Sequence, residues 1–204
     1  MSVQDENSLT AREQVEYTAL RATIRERGTA RVCVFAGGIV AWGALTIATA
    51  ALAAAPVATL VPLVVLAAQF EAVFALHVGV ERVGRYLQVF HEPAAERSGW
   101  EHAAMGFGRV PGAATTDALF TAVFLIAAAC NIIPALIIGP TQPELIFVGG
   151  AHALFVIRLL AARAAAGRQR AIDLRRFEDM KATPAAVRPH GSRSADGGQG
   201  SRSG

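Results

Sequence analysis

The sequence predicts an all-α, polytopic membrane protein, with four transmembrane helices in a bundle of two hairpins and helical extensions on the cytoplasmic side. Three observations predict this class. The apolar residues, 53% of the 204, fall into four long runs rather than at strand or surface-helix spacing. Aromatic residues make up only 7%, so Ala, Val, Leu and Ile supply most of the apolar surface, as expected for helices solvated by lipid. Apart from Arg158, and Arg163 at the last position of the fourth run, the 19 basic residues lie outside the runs, on segments that alternate with two uncharged links.

The spans are expected at residues 32–55, 57–80, 115–138 and 144–163. A helix needs about 20 apolar residues to cross a hydrocarbon core of about 30 Å, and each run reaches or approaches that length. Strands of a membrane barrel would be about half as long and would alternate in polarity, which these runs do not. The first run holds no charged residue, the second holds Glu71, and the third holds Asp117 near its start. The fourth holds His152 and Arg158.

Ahead of the first run, residues 1–31 read as a cytoplasmic amphipathic helix. Thr10 followed by Glu13 fits a capping box, in which each side chain satisfies a backbone N–H at the helix start. Tyr17, Leu20 and Ile24 then share one face. Such a helix can lie on the membrane or pack on other cytoplasmic segments. Ala53, Ala54 and Ala55 resemble a signal-peptide cleavage site. A cleaved signal has only about 7–15 apolar residues close to the N-terminus, so an uncleaved signal-anchor is the expectation.

The second span is expected to continue as a helix to His91, with Pro93 ending it. Val83, Tyr86, Leu87 and Phe90 make an apolar stripe there, with Arg82, Arg85 and Gln88 off it. The connection at 81–114 includes an irregular stretch, 93–114, with Trp100 suited to headgroup depth. Beyond the fourth span, residues 164–180 read as a cytoplasmic helix and 181–204 as a disordered basic tail.

Arginine is retained on the cytoplasmic side during insertion, which places both termini and the 81–114 connection inside. The excess of arginine over the single lysine, Lys181, points to a GC-rich bacterial genome and so to the inner membrane. The basic segments suit anionic lipid. No nucleic-acid-binding module is present, and no nucleic acid is expected as a partner.

Small residues four apart (Gly37 with Ala41, Ala44 with Ala48, Gly149 with Ala153) fit close packing of the first and fourth spans. Pro134 deprives the Cys130 carbonyl of its amide donor, and Asn131 beside it is expected to bond a neighbouring helix. Cys33 and Cys130 differ by about 20 Å in depth, too far for a disulfide.

An ionisable side chain in hydrocarbon costs about 2.5–3.5 kcal/mol even on the lenient insertion scale, so each needs a partner or water. Counting from the middle of each run puts Glu71 about 4 Å and Arg158 about 7 Å to the cytoplasmic side, with His152 about 2 Å to the other. These three form the expected intramembrane polar network. His77 and Asp117 fall about 13–14 Å inward and, with Glu81 one turn from His77, form a pair at the cytoplasmic edge.

Haem ligation by His77 and His152 fails on depth, since axial ligands must sit nearly level. A metal at His77, Glu81 and Asp117 has plausible donors but no diagnostic spacing. No cofactor is predicted. Every serine lies outside the runs, which removes an intramembrane serine nucleophile, and no phosphate-binding glycine motif or paired-cysteine motif occurs. His91, Glu92, Trp100, Glu101 and His102 cluster in the connection and read as solvated interface residues.

Two functions remain. The first is a non-catalytic membrane subunit that binds a protein partner through its cytoplasmic helices, and a homo-oligomer is the other assembly expected. The second is a small proton- or ion-handling transporter or channel using Glu71, His152 and Arg158.

Overall fold

The computed structural model describes residues 10–52, 55–91 and 116–183, without the side chains of residues 116–119. The expected irregular connection at 93–114, with Glu92, Trp100, Glu101 and His102, and nearly all of the expected tail lie outside the described residues. Among the described residues the chain is all-helical: α1 (Ala11–Leu52), a single 3-10 turn (Pro56–Thr59), α2 (Leu60–Phe90), α3 (Thr116–Ile138) and α4 (Gln142–Ala182). Four helical segments are long and apolar enough to cross a membrane, one in each of the four expected runs.

Three of the helices outrun their apolar runs, α2 to Phe90 as expected. The N-terminal segment and the first span form one unbroken 42-residue helix, α1. At 1.5 Å per residue it is about 63 Å long, twice the thickness of a hydrocarbon core. Likewise α4 carries the fourth span and the following basic segment as one helix of 41 residues. Hydropathy changes at residues 32 and 163, but neither point offers a breaker. The glycines nearby, Gly28 and Gly167, are tolerated inside a helix at about 1 kcal/mol.

The helix starts are set locally. At α1 the Thr10 backbone N–H donates to the Glu13 carboxylate (2.7 Å), and the Glu13 N–H reaches Thr10 Oγ1 (3.4 Å). A second capping box, Thr141 with Glu144, starts α4 two residues ahead of the expected position, with Pro143 in its first turn. Between α3 and α4, Gly139 turns the chain with φ +78°, a conformation in which other residues are strained.

Helix α2 is the common wall. Helix α1 runs along it, while α3 and α4 contact both α2 and each other. The core between them is built from Leu63, Leu66, Phe70, Phe124, Phe155 and Leu159, with Phe35, Ile39 and Trp42 of α1 packed against its side. Phe70 meets Phe124 and Phe155 edge to face, at centroid distances of 5.4 and 6.2 Å. Such ring pairs contribute about 0.5–1.5 kcal/mol each beyond their buried area.

The expected close contact between the first and fourth spans is not formed, because α1 packs mainly on α2, with Phe35 and Trp42 reaching α3. Neither Gly37 nor Gly149 has a neighbour where a side chain would project, so their spacing reflects Ala- and Gly-rich composition. The close approach is one residue further on. A Cβ at Gly38 would overlap the Gln69 side chain, whose amide donates to the Phe35 carbonyl at 2.7 Å.

Candidate functional site

Polar side chains gather at three levels along the helices. The first lies within the apolar runs. Arg158 Nη2 donates to Glu71 Oε2 at 2.8 Å, joining α4 to α2. The pair sits on the outside: each side chain is 47% exposed. The Phe74 ring lies beneath it, 6.0 Å from the guanidinium carbon.

The structure puts His152 in a different group from these two. Asn131 on α3 is fully buried and gathers α1, the 3-10 turn and α4 around its amide. Trp42 Nε1 donates to Asn131 Oδ1 (3.2 Å), and Asn131 Nδ2 donates to the Thr59 carbonyl (2.8 Å). The same Nδ2 reaches His152 Nε2 at 3.1 Å, while His152 Nδ1 faces the Val148 carbonyl at 2.8 Å. A carbonyl only accepts, so His152 carries its proton on Nδ1 and takes the Asn131 donor on Nε2. Both ring nitrogens are therefore occupied. The cluster is a buried joint whose amide has partners on both its oxygen and its nitrogen.

The third level is where the helices leave the apolar runs, toward the end at which α1 begins and α4 finishes. Arg31 Nη1 lies 2.9 Å from His77 Nδ1, and His77 Nε2 lies 3.5 Å from Glu81 Oε1. Arginine can only donate, which assigns the Nε2 proton to His77 and directs it at Glu81. Glu81 also receives Arg170 Nε at 3.0 Å and Arg85 Nη1 at 3.5 Å. The Asp117 side chain, expected beside His77, lies outside the described residues. Among the described residues no three His, Cys, Asp or Glu side chains converge as a metal site would require.

Beyond Glu81 the α2 and α4 extensions are joined by Arg85 and Asp173, whose Nη2 and Oδ2 are 3.2 Å apart. Gln169 Nε2 donates to the other oxygen of Asp173 at 2.7 Å, and Arg82 reaches Oδ2 at 3.5 Å. Burial acts to raise the Asp173 pKa. The Gln169 hydrogen bond and the charges of Arg85 and Arg82 outweigh it, and the carboxyl is held below its ordinary range.

Aromatic contacts close this end. Tyr86 stacks on Phe90 (4.7 Å between centroids) and meets Phe177 of α4 edge-on (5.7 Å). Tyr17 of α1 packs on His91 at 5.8 Å. Tyr86 donates to Glu16 of α1 at 2.7 Å, and burial together with that carboxylate raises its pKa above the ordinary phenol value. The stripe of Val83, Tyr86, Leu87 and Phe90 is thus largely occupied by the chain's own helices, and Arg85, read as off the stripe, is buried too. The reason is that α1 and α4 flank the α2 extension on two sides, so more than one of its faces is covered.

Between the first and third levels residues of all four helices line a half-open cavity of about 240 Å³. Neither the cavity nor the Arg85–Asp173 joint was visible in the sequence. The one available signal was Asp173, an acid within the otherwise basic stretch Arg163–Arg176. No protein-family model, curated protein or solved structure matches the chain.

Proposed function

We propose that the chain is a non-catalytic, multi-pass subunit of a bacterial inner membrane, with both termini in the cytoplasm, and that it assembles side by side with a second copy. The observation that carries this reading is the Glu71–Arg158 ion pair, half-exposed within the apolar runs. A charge facing lipid is costly, and intramembrane ion pairs almost always face a helix bundle or water. A second copy laid on this face would withdraw the pair from lipid.

The face is also self-complementary. It offers an acid on α2 and a base on α4, so a two-fold axis would bring each charge near its opposite on the other copy. Around Glu71 the exposed side of α2 carries Val61, Val64, Ala68 and Ala75, spaced three and four apart like a coiled-coil seam. Small residues there allow backbones to approach closely. The basic flanks support the orientation, since arginine stays on the cytoplasmic side.

Ion handling through Glu71, His152 and Arg158 has less support. Glu71 is engaged by Arg158, and both nitrogens of His152 are engaged by Asn131 and the Val148 carbonyl.

Assembly is tested by disulfide trapping in membranes. Ala68→Cys, in a chain with Cys33→Ala and Cys130→Ala, should give a cross-linked dimer on mild oxidation. Arg158→Glu or Glu71→Arg alone should suppress it, and the two together should restore it. A chain that stays monomeric in every background would refute the reading.

A further inference from the structure

The cavity of about 240 Å³ lies where the helices leave the apolar runs, and its lining changes character along the membrane normal. Arg31, the last residue before the first run, and Arg163, at the end of the fourth, line its outer part together with Arg170. Phe70, Phe74 and Phe124 line its inner part. Counting back from residue 80 on α2, Phe74 and Phe70 lie about 9 and 15 Å deeper than the boundary. Cations at headgroup level above aromatic rings at acyl-chain level repeat the polarity profile of one lipid leaflet.

Two of these cations, Arg31 and Arg163, can take an anion, while Arg170 is engaged by Glu81. Arg31 is held in place by His77 Nδ1 at 2.9 Å and by the Phe120 ring, 5.4 Å from its guanidinium carbon. Its Nε is buried without a hydrogen-bond partner, a donor already oriented and unused. Arg163 has no acidic partner among the described residues. Glu81, one turn along α2 from His77, is shared among Arg170, Arg85 and His77.

We propose that this cavity is a binding site for one anionic phospholipid. Its phosphodiester is held by Arg31 and Arg163, with Arg170 adding charge, and the upper part of one acyl chain lies on Phe70, Phe74 and Phe124. Guanidinium forks match the two free oxygens of a phosphodiester. Basic pockets between membrane helices on this side favour acidic headgroups over zwitterionic ones. A water-soluble phosphate would leave the aromatic floor unfilled. The site belongs to a single copy and does not depend on side-by-side assembly.

The test titrates the full-length protein in mild detergent with short-chain phosphatidylglycerol. Phosphatidylcholine of the same chains, glycerol phosphate and decanoate serve as comparisons, and bound ligand is counted by native mass spectrometry. Phosphatidylglycerol should bind at least tenfold more tightly than phosphatidylcholine, and glycerol phosphate should not bind measurably. Arg163→Gln, at an exposed position where folding is not at risk, should cut the preference at least threefold. Arg31→Gln with Arg163→Gln should abolish it. Equal binding of the two lipids, or a preference that survives the double variant, overturns the proposal. Glycerol phosphate binding as tightly as the lipid would show that the acyl chain is not held. Decanoate matching phosphatidylglycerol would assign the site to a fatty acid instead. Either result overturns the phospholipid assignment.

Discussion

Arg85 and Asp173 face each other across α2 and α4, 3.2 Å apart, with side chains only 4% and 7% exposed. They lie 88 residues apart in the chain, at the end of the molecule where α1 begins and α4 finishes. Their burial follows from the two long helices. Because α2 and α4 continue past the apolar runs without a break, their extensions pack with α1 as a helical continuation of the spans. A charge on the inner face of such a continuation needs a partner there.

Breaking that pair should be expensive. Asp173→Ala leaves a buried guanidinium unmatched at its Nη2, and removing one partner of a buried pair costs about 3–5 kcal/mol. Arg85→Met with Asp173→Leu, which removes both charges and keeps the volume, should recover most of the loss. Thermal unfolding in detergent, followed by helical circular dichroism, checks both variants. A small effect of Asp173→Ala would mean that water reaches the joint.

The same carboxyl makes stability depend on pH with a definite sign. Its folded-state pKa is depressed, so the folded protein binds that proton less tightly than the unfolded chain does. Its contribution is complete above the ordinary aspartate range and is lost as pH falls through the depressed folded value. The stability gap between wild type and Asp173→Asn should be widest above about pH 5 and narrow steadily below about pH 4. A gap that does not change over that range contradicts the assignment.

Adjacent glycines on α1 should respond oppositely to alanine. Gly38→Ala drives a methyl group into Gln69, whose amide is tied to the Phe35 carbonyl. Overpacking of this kind costs about 1–3 kcal/mol. Gly37→Ala meets nothing and should be neutral or stabilising by up to about 1 kcal/mol through helix propensity. Unfolding of the two variants side by side measures the difference, and equal stabilities would place the α1–α2 contact elsewhere.

The Asn131 amide should behave as a structural joint. Asn131→Leu removes the partners of Trp42, the Thr59 carbonyl and His152 together. A buried group left unsatisfied costs about 1–3 kcal/mol, so the variant should unfold several degrees earlier. His152→Gln can still accept the Asn131 amide and should lose less. Liposome proton flux should stay at the empty-vesicle level for wild type and both variants, and flux that depends on His152 would return the relay reading.

The fold was legible wherever hydropathy decides it. Four runs of apolar residues announce four helices because a bilayer leaves the backbone no other partner than itself. Hydropathy marks the bilayer, however, and not the helix. The segment boundaries drawn at residues 31 and 163 mark a change of solvent, which does not end a helix, whereas Pro56 and the Gly139–Pro140 pair do interrupt the chain. Glu71 and Arg158 could be paired by depth alone, since two groups of opposite charge at one level in oil have few alternatives.

Depth did not resolve direction around the helix. His152 lies close to Glu71 in depth, yet it turns toward α3, where Asn131 holds it. The Arg85–Asp173 joint was hidden because outside the bilayer a charge carries no cost that marks it. The cavity was hidden because its lining comes from all four helices, and no local pattern records such a convergence.

The central claim is that four helices cross a membrane with the arginine-rich ends together on its cytoplasmic face. Single cysteines placed at Thr141, in the link between α3 and α4, and at Arg12 and Arg176 can be probed in intact cells with a membrane-impermeant thiol reagent. The background for each carries Cys33→Ala and Cys130→Ala. Labelling at position 141 alone, with 12 and 176 reacting only after the cells are opened, is the predicted result. Labelling at 12 or 176 in intact cells, or equal reactivity at all three positions, would contradict it.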